Sequence, residues 1–307
     1  MIKRTNRSLL RALVYFYFIS LCGACLYLPD TAGTFLCLTD SYNREIKLDK
    51  PPEKIISLSP GITEMLFLFH AADKLIGISD YCNFPEETMY INKVGGLQNI
   101  NIEKIVSLQP DVVLIGSIIP KNEVDKLEKA GIIVIAIKQE EKLEGILDAL
   151  KILGKIVDNE QVADSLVRYY SGKLEEYKND VVTAKEMQRT VYYVVSFGAG
   201  GDFTAPANTH ISEIIQLAGG MNIGDALSTW NISREYLFAQ NPDFIFVRTE
   251  DLQHFVKTYP YTLLNAVKKN RVYPIESGWI DVISPRNFLA IEAIREKIKL
   301  NEQLTYN

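Results

Sequence analysis

Two distant stretches of the chain share one sequence pattern. The segments IEKIVSLQPDVVLIG (102–116) and REYLFAQNPDFIFVR (234–248) align residue for residue at an offset of 132 positions. In both, a short helical pattern ends at a proline, which has no N–H to continue a helix, and an apolar strand pattern follows. A single helix–Pro–Asp–strand unit is common, but two units in corresponding places predict two lobes of similar construction.

The sequence around these segments alternates between strand and helix patterns. Continuous apolar runs such as VVLI (112–115), IIVIAI (132–137) and VYYVV (191–195) have the length of strands. Runs without polar alternation indicate strands covered on both faces, as in parallel sheets flanked by helices. The predicted fold class is therefore α/β, with two lobes that each contain a mainly parallel sheet and a ligand cleft between the lobes.

A long amphipathic helix is predicted between the two lobes. Apolar residues recur there every three to five positions, and Gly172 is the one helix breaker in the pattern. At about 1.5 Å per residue, roughly 23 residues span about 35 Å, which suffices to join two domains along one side. We expect a stiff connection, with an N-terminal lobe at 40–158, the connecting helix at 159–187 and a C-terminal lobe at 188–307.

The first 25 residues have the form of a secretory signal. Four basic residues precede an uncharged apolar run (12–29), in which small residues stand at Gly23 and Ala24. CGAC (22–25) resembles a loose lipoprotein box, in which Cys25 would be the lipidated residue. An uncleaved membrane anchor is the alternative, because the run is just long enough to span a bilayer. The protein is therefore expected to be periplasmic or extracytoplasmic, attached to the membrane through its leader or a lipid.

Charge and motif content exclude several function classes. Four of the 33 basic residues lie in the leader, so the rest carries 29 basic against 38 acidic side chains, a net charge of −9. This argues against a nucleic-acid partner. The sequence has no G-x-S-x-G, H-E-x-x-H or P-loop motif, so an enzyme is not predicted. The histidines lack ligand spacing, so no metal site is predicted, and a Cys37–Cys82 disulfide is left open.

Aromatic residues follow several predicted strands. Loops at the carboxyl ends of parallel strands are where open α/β sheets accept ligands. Such loops would line the cleft with aromatic rings, which suits a large and partly apolar ligand, although each ring also fits ordinary packing. The candidates are Tyr81, Phe203, Trp230 and, in a loop predicted at Gly278–Asp281, Trp279. Arg286 follows a predicted helix start at Ser284–Pro285, where it would pair with a ligand carboxylate or with a neighbouring acid.

Glu103 and Glu235 occupy equivalent positions in the repeated segments. Asn101 and Ser233 are suitable N-caps, so both glutamates fall in a first helical turn, where the helix dipole favours a negative charge by roughly 0.3–1 kcal/mol. Two equivalent acids on two lobes also offer separated negative points to a basic partner. The residues themselves leave both interpretations open.

Several motifs in their order resemble one known family. KIISLSPGITEMLF (54–67), SDYCNFPEE (79–87), VGGLQNINIEKIVSLQPDVVLIG (94–116) and SGWIDVISPR (277–286) are similar to the iron-chelate and cobalamin class of periplasmic binding proteins. The resemblance runs from about Asp40 to the carboxyl end. It implies two α/β lobes joined by a long helix, and a monomer that captures a metal chelate and delivers it unchanged to the permease dimer of an ABC importer with its cytoplasmic ATPase.

The resemblance also implies roles for particular residues. Glu103 and Glu235 match acids that dock against permease arginines, while Tyr81, Trp230 and Trp279 lie at or near ligand-contacting positions of cobalamin-binding members. The chain departs from those members at Leu97, where they have a tryptophan, and at Gly278, where they have an acid; Trp230 is also one residue closer to its glutamate. The cargo therefore stays divided among a ferric siderophore, haem and cobalamin, with no cofactor of the protein's own. An extracytoplasmic enzyme or a sensor on the same scaffold is the alternative.

Overall fold

Two four-stranded parallel sheets organise the chain in a computed structural model that describes residues 33–96, 99–116, 119–138, 142–183 and 189–305. The leader with Cys25 and the departure at Leu97 lie outside these ranges. The N-terminal sheet has the order β4-β3-β5-β6. Its strands are β3 (Ile55–Ser57), β4 (Leu75–Ile78), β5 (Val112–Ile115) and β6 (Val134–Ala136). An antiparallel hairpin, β1 (Leu36–Thr39) and β2 (Glu45–Leu48), precedes it.

In the described part of the N-terminal lobe, four helices connect or follow the strands. They are α1 (Pro60–Leu68), α2 (Ile102–Leu108), α3 (Lys121–Lys129) and α4 (Glu144–Ile156), with short 3-10 turns at Ala72–Lys74 and Glu86–Tyr90. The strands pair in parallel register, for example Ile55 beside Val112 and Val113 beside Val134. Every residue of β3, β5 and β6 is buried, because helices cover both faces of the sheet.

The C-terminal lobe repeats this construction. Its sheet has the order β10-β9-β7-β8, with strands β7 (Arg189–Val194), β8 (Gly220–Asn222), β9 (Phe244–Arg248) and β10 (Val272–Ile275). Its helices are α6 (His210–Leu217), α7 (Arg234–Gln240), α8 (Leu252–Phe255), α9 (Asn265–Lys268), α10 (Ser277–Ile280) and α11 (Asn287–Thr305), and its 3-10 turns are Ile223–Ala226, Thr249–Asp251 and Tyr261–Leu263. The predicted α/β class with two similar lobes is confirmed.

One long helix, α5 (Glu160–Thr183), lies between the two sheets in the chain and passes through Gly172 without a break. It packs closely on α4, where a side chain at Gly154 would place its Cβ 2.4 Å from that of Ala163. It also contacts α11, where the Tyr177 hydroxyl donates a hydrogen bond of 2.8 Å to Glu292. One cluster of buried apolar residues continues through both lobes and α5. The lobe boundaries at 158 and 188 stay predictions.

The repeated segments begin and end alike. The Asn101 side chain accepts the N–H of Lys104 at the start of α2, and the Ser233 hydroxyl accepts the N–H of Tyr236 at the start of α7. Both predicted N-caps are therefore confirmed. Gln109 and Asn241 then end the helices in left-handed conformation, with φ of 50° and 43°, which turns the chain toward the following strand.

The repeated aspartate has a structural role in each lobe. One carboxylate oxygen of Asp111 accepts the N–H groups of Glu53 and Lys54 at 2.8 Å, just before β3. The carboxylate of Asp243 accepts both the N–H and the hydroxyl of Thr190 in β7. In both lobes, the aspartate that precedes one strand therefore holds the start of its parallel neighbour.

We expect Asp111→Asn to lower stability in a pH-dependent way. Burial opposes ionisation of Asp111, but the two backbone N–H groups and the charges of Lys50 and Lys54 together outweigh it and lower the pKa of the carboxyl. A depressed folded-state pKa stabilises the fold above the unfolded-state pKa, and this stabilisation is lost as the pH falls through the folded-state value. Urea titrations should therefore show a loss of roughly 1 kcal/mol at pH 7 that shrinks between about pH 5 and 2. A pH-independent difference would contradict this assignment.

Candidate functional site

A pocket of about 290 Å³ lies between the two lobes. Its N-terminal wall follows the carboxyl ends of β3, β4 and β5, and its C-terminal wall combines the start of α6 with the segment after α10. The carboxyl edges of the two sheets therefore face each other across it, the expected place for a ligand. The lining residues are mostly apolar or small: Leu58, Ser59, Pro60, Gly61, Tyr81, Gly116, Ile119, His210, Asp281, Val282 and Ile283.

Tyr81 is the predicted aromatic residue that lines this pocket, and 59% of its surface is exposed. The backbone beside it is held by a hydrogen bond from the Asp80 N–H to the Gly95 carbonyl. The neighbouring Cys82 is buried, with its sulfur 3.2 Å from the Thr63 hydroxyl, and burial raises the pKa of its thiol. Cys37 and Cys82 are both free thiols, which answers the question of a disulfide between them.

Antiparallel backbone bridges from Phe203 to Ser196 and to Asn231 form a short ribbon that brings Phe203 and Trp230 together. The Phe203 N–H donates to the Ser196 carbonyl, and the Thr204 N–H donates to the Trp230 carbonyl at 2.9 Å. Trp230 is 41% exposed. The buried Asp202 carboxylate joins this ribbon to α7, because it accepts hydrogen bonds from Arg234 and from the N–H of Gly198. The ribbon of Phe203 and Trp230 is thus attached to the helix that bears Glu235.

Trp279 lies in α10 and packs, partly buried, against the large apolar cluster. Its carbonyl accepts a hydrogen bond from the side chain of Asn287 at 2.8 Å. The stretch Gly278–Asp281 was predicted as part of a loop, and this prediction is wrong. It belongs to one helical turn, closed by the hydrogen bond from the Asp281 N–H to the Ser277 carbonyl. The ligand roles predicted for Phe203, Trp230 and Trp279 stay predictions.

His210 and Asp281 line the pocket, and neither was named as a ligand residue from the sequence. His210 is buried at the first position of α6, and its Nε2 lies 2.8 Å from the Ile280 carbonyl oxygen. Asp281 accepts hydrogen bonds from the Tyr193 hydroxyl and from Arg248, at 2.7 and 2.8 Å. Burial and the Asp281 charge raise the pKa of the Tyr193 phenol. The N-cap threonine before His210 is the local signal that places this histidine at a helix start.

Arg286 pairs with a neighbouring acid, one of the two alternatives left by the sequence. Its guanidinium binds both carboxylate oxygens of Glu64, with the hydrogen bond from Nε measuring 2.9 Å. Helix α11 starts one residue later, at Asn287, whose side chain accepts the Ser284 N–H at 3.1 Å. Glu64 belongs to α1, so this ion pair joins the two lobes.

Glu103 and Glu235 are exposed in the first turns of α2 and α7. Each of these helices ends beside the amino end of the strand that follows it, so its first turn lies toward the carboxyl edge of its sheet. The glutamates thus stand on corresponding places of the two lobes, each toward the carboxyl edge of its own sheet.

Within the described ranges, no three His, Cys, Asp or Glu side chains are grouped so that they could hold a metal ion. None of the helices in the described part of the chain combines the length and the apolar character that a bilayer span requires.

Comparison with known proteins identifies a family and several relatives. Residues 55–277 match the model of a family described as periplasmic binding protein. The vitamin B12-binding protein of Vibrio vulnificus (strain YJ016) is 29% identical over 259 residues, which cover 82% of this chain and 92% of that protein. The uncharacterized ABC transporter substrate-binding lipoprotein YvrC of Bacillus subtilis (strain 168) is 27% identical over 268 residues, 85% of this chain and 84% of the relative.

Solved structures have the same fold. The periplasmic vitamin B12 binding protein BtuF of Vibrio cholerae superposes with a TM-score of 0.71 at 25% identity, covering 82% of this chain and 98% of that one. A periplasmic heme-binding protein of Pseudomonas aeruginosa superposes with a TM-score of 0.72 at 20% identity, covering 80% of this chain and 91% of that one. At that lower identity, the second likeness concerns the fold alone.

Proposed function

This chain belongs to the periplasmic binding protein family, and we propose that it is the substrate-binding component of an ABC importer for a corrinoid of the cobalamin class. The observation on which the proposal rests is the pocket between the facing carboxyl edges of the two sheets, with Tyr81 exposed in its wall. A pocket between two lobes encloses a ligand and opens when the lobes separate, which fits the capture and release of unchanged cargo.

The corrinoid is favoured over the other chelates by the relatives. The Vibrio vulnificus protein is named for vitamin B12 and aligns over 92% of its own length. The solved vitamin B12 binding protein has 25% identity, above that of the heme-binding neighbour. The mainly apolar and small side chains of the lining suit the edge of a large flat ligand, and Tyr81 offers it a ring face.

The chain's position outside the cytoplasm follows from the family, and we propose two finer features. Residues 1–25 would direct export, and Cys25 would receive the lipid; the lipoprotein name of the Bacillus subtilis relative supports this assignment. As a monomer, the protein would present Glu103 and Glu235 to the two halves of a permease dimer, which works with a cytoplasmic ATPase.

Titration with defined chelates tests the cargo. We expect cyanocobalamin to bind the purified protein in isothermal titration and hemin to bind far more weakly. The protein isolated from its host should also carry the absorbance spectrum of a corrinoid. Preferential binding of hemin, or of a ferric siderophore, would overturn the corrinoid assignment within the same importer class. Failure of all three chelates to bind would overturn the chelate class itself.

Replacing Tyr81 by alanine should weaken cyanocobalamin binding about tenfold. An aromatic contact contributes roughly 0.5–1.5 kcal/mol beyond the area that it buries, and about 1.4 kcal/mol corresponds to a factor of ten in the dissociation constant. Tyr90→Ala is the matched control, because Tyr90 is 83% exposed and is not among the residues that line this pocket. Equal dissociation constants for Tyr81→Ala and Tyr90→Ala would exclude Tyr81 as a ligand contact.

A further inference from the structure

The side chain of Arg286 joins three segments that also line the pocket. Arg286 itself follows the lining residue Ile283 by three positions, and its carboxylate partner Glu64 follows the lining residue Gly61 by three positions in α1. The third segment supplies Phe84, three positions after Tyr81, and the guanidinium carbon lies 3.9 Å from the centroid of the Phe84 ring.

The guanidinium also packs against Gly278. A Cβ added at Gly278 would lie 2.6 and 2.7 Å from the two terminal nitrogens of Arg286 and 2.9 Å from its central carbon. Such distances are far below van der Waals contact, so any side chain at this position would displace the guanidinium. The glycine immediately before Trp279 therefore leaves room for the guanidinium in the observed position.

Burial strengthens the Arg286–Glu64 contact. The side chains are 16% and 6% exposed, and the guanidinium engages both carboxylate oxygens. A bidentate pair of this kind restricts orientation as well as distance, since two parallel N–H···O bonds fix the plane of one group relative to the other. Because the partners are separated by 222 positions and belong to different lobes, the pair restricts the relative placement of the two pocket walls.

We propose that Arg286 is a positioning residue that sets the width of the cleft through Glu64, Phe84 and Gly278, and that it does not itself contact the cargo. This inference rests on the proposed function for its binding readout, whereas its geometric readout is independent of any cargo. The ion pair holds the walls near the separation that grips the ligand. Without it, the lobes sample a wider range of separations, and only a fraction of molecules is competent to bind.

The test removes both charges together. Deleting one partner would leave an uncompensated buried charge and threaten folding, whereas replacing a buried pair by apolar residues of similar volume is often tolerated. We therefore combine Glu64→Leu with Arg286→Met. Spin labels attached through p-acetylphenylalanine at Ser107 and Ala239, equivalent exposed positions of α2 and α7, report the interlobe distance without using cysteine chemistry.

Two further variants test whether the effect is specific to the placement of the Arg286 guanidinium. Gly278→Ala keeps both charges but pushes the guanidinium out of place, so it should act like the double variant. Glu123→Leu with Lys126→Met is the control, because it removes an ion pair whose two partners lie in one helix, α3. The side chain of Glu123 is 9% exposed, compared with 6% for that of Glu64.

We expect one narrow distance distribution in the parent and the α3 control, and a broadened one in the double variant and in Gly278→Ala. The cyanocobalamin dissociation constant should rise about tenfold in those two, as for a competent fraction reduced to a tenth. An unchanged distance distribution in the double variant would overturn the proposal, whether or not binding weakens. If binding weakens while the distribution stays unchanged, Arg286 contacts the ligand directly. A broadened distribution with unchanged affinity would also overturn it. If the parent binds no chelate, the proposed function fails, and the distance distributions still decide whether the pair sets the geometry.

Discussion

Charge reversal at both exposed glutamates, Glu103→Lys with Glu235→Lys, should abolish cargo uptake and leave cargo affinity within about twofold of the parent. One acid stands on each lobe, in the first turn of equivalent helices and outside the pocket lining. A basic docking surface would then meet two positive charges in place of two negative ones, and like charges brought together cost several kcal/mol. Each reversal also costs roughly 0.3–1 kcal/mol against the helix dipole, too little to unfold the protein.

The measurement pairs an uptake assay in the host with isothermal titration of the purified variant. Glu87→Lys with Glu250→Lys is the control, because these glutamates are also exposed, one in each lobe, and their reversal changes the net charge equally. Normal uptake by the Glu103/Glu235 variant would remove the docking role and would favour the sensor alternative. Loss of uptake in both variants would show that total charge, and no particular pair of acids, governs the interaction.

Phe288→Ala should cost about 3–5 kcal/mol of unfolding free energy. Phe288 is 2% exposed at the start of α11, and its ring centroid lies 4.9 Å from that of Tyr170 and 6.2 Å from that of Tyr177 in α5. The substitution would leave a cavity between the connecting helix and the C-terminal lobe, where rigid neighbours can collapse only in part.

Urea unfolding followed by circular dichroism measures this loss. The adjacent Leu289→Ala is the control, because Leu289 is 41% exposed and surface truncations usually change stability by about 0.5 kcal/mol or less. Similar midpoints for the two variants would mean that α5 is not anchored through Phe288, and the stiffness expected of the connection would lose its main structural support.

Local patterns were sufficient to predict the lobes. Proline and a capping residue determine where a helix starts or ends within a few positions along the chain. The repeated segments therefore predicted two helices with N-caps at Asn101 and Ser233. Apolar periodicity likewise predicted α5, and the strand preceding Tyr81 placed that tyrosine at the pocket. The same local patterns failed at Gly278–Asp281, because a single helical turn has no periodicity to detect.

Contacts between lobes required the tertiary structure. The sequence left Arg286 with two alternatives, since nothing near it identifies Glu64, 222 positions away, as its partner. The pocket position of His210 and the space that Gly278 leaves for the guanidinium were equally invisible in the sequence. Capping, chain reversal and amphipathic spacing are short-range properties of neighbouring residues. Which buried charges meet between the lobes depends on how the two lobes pack along one helix, and that is decided only when the core they share forms.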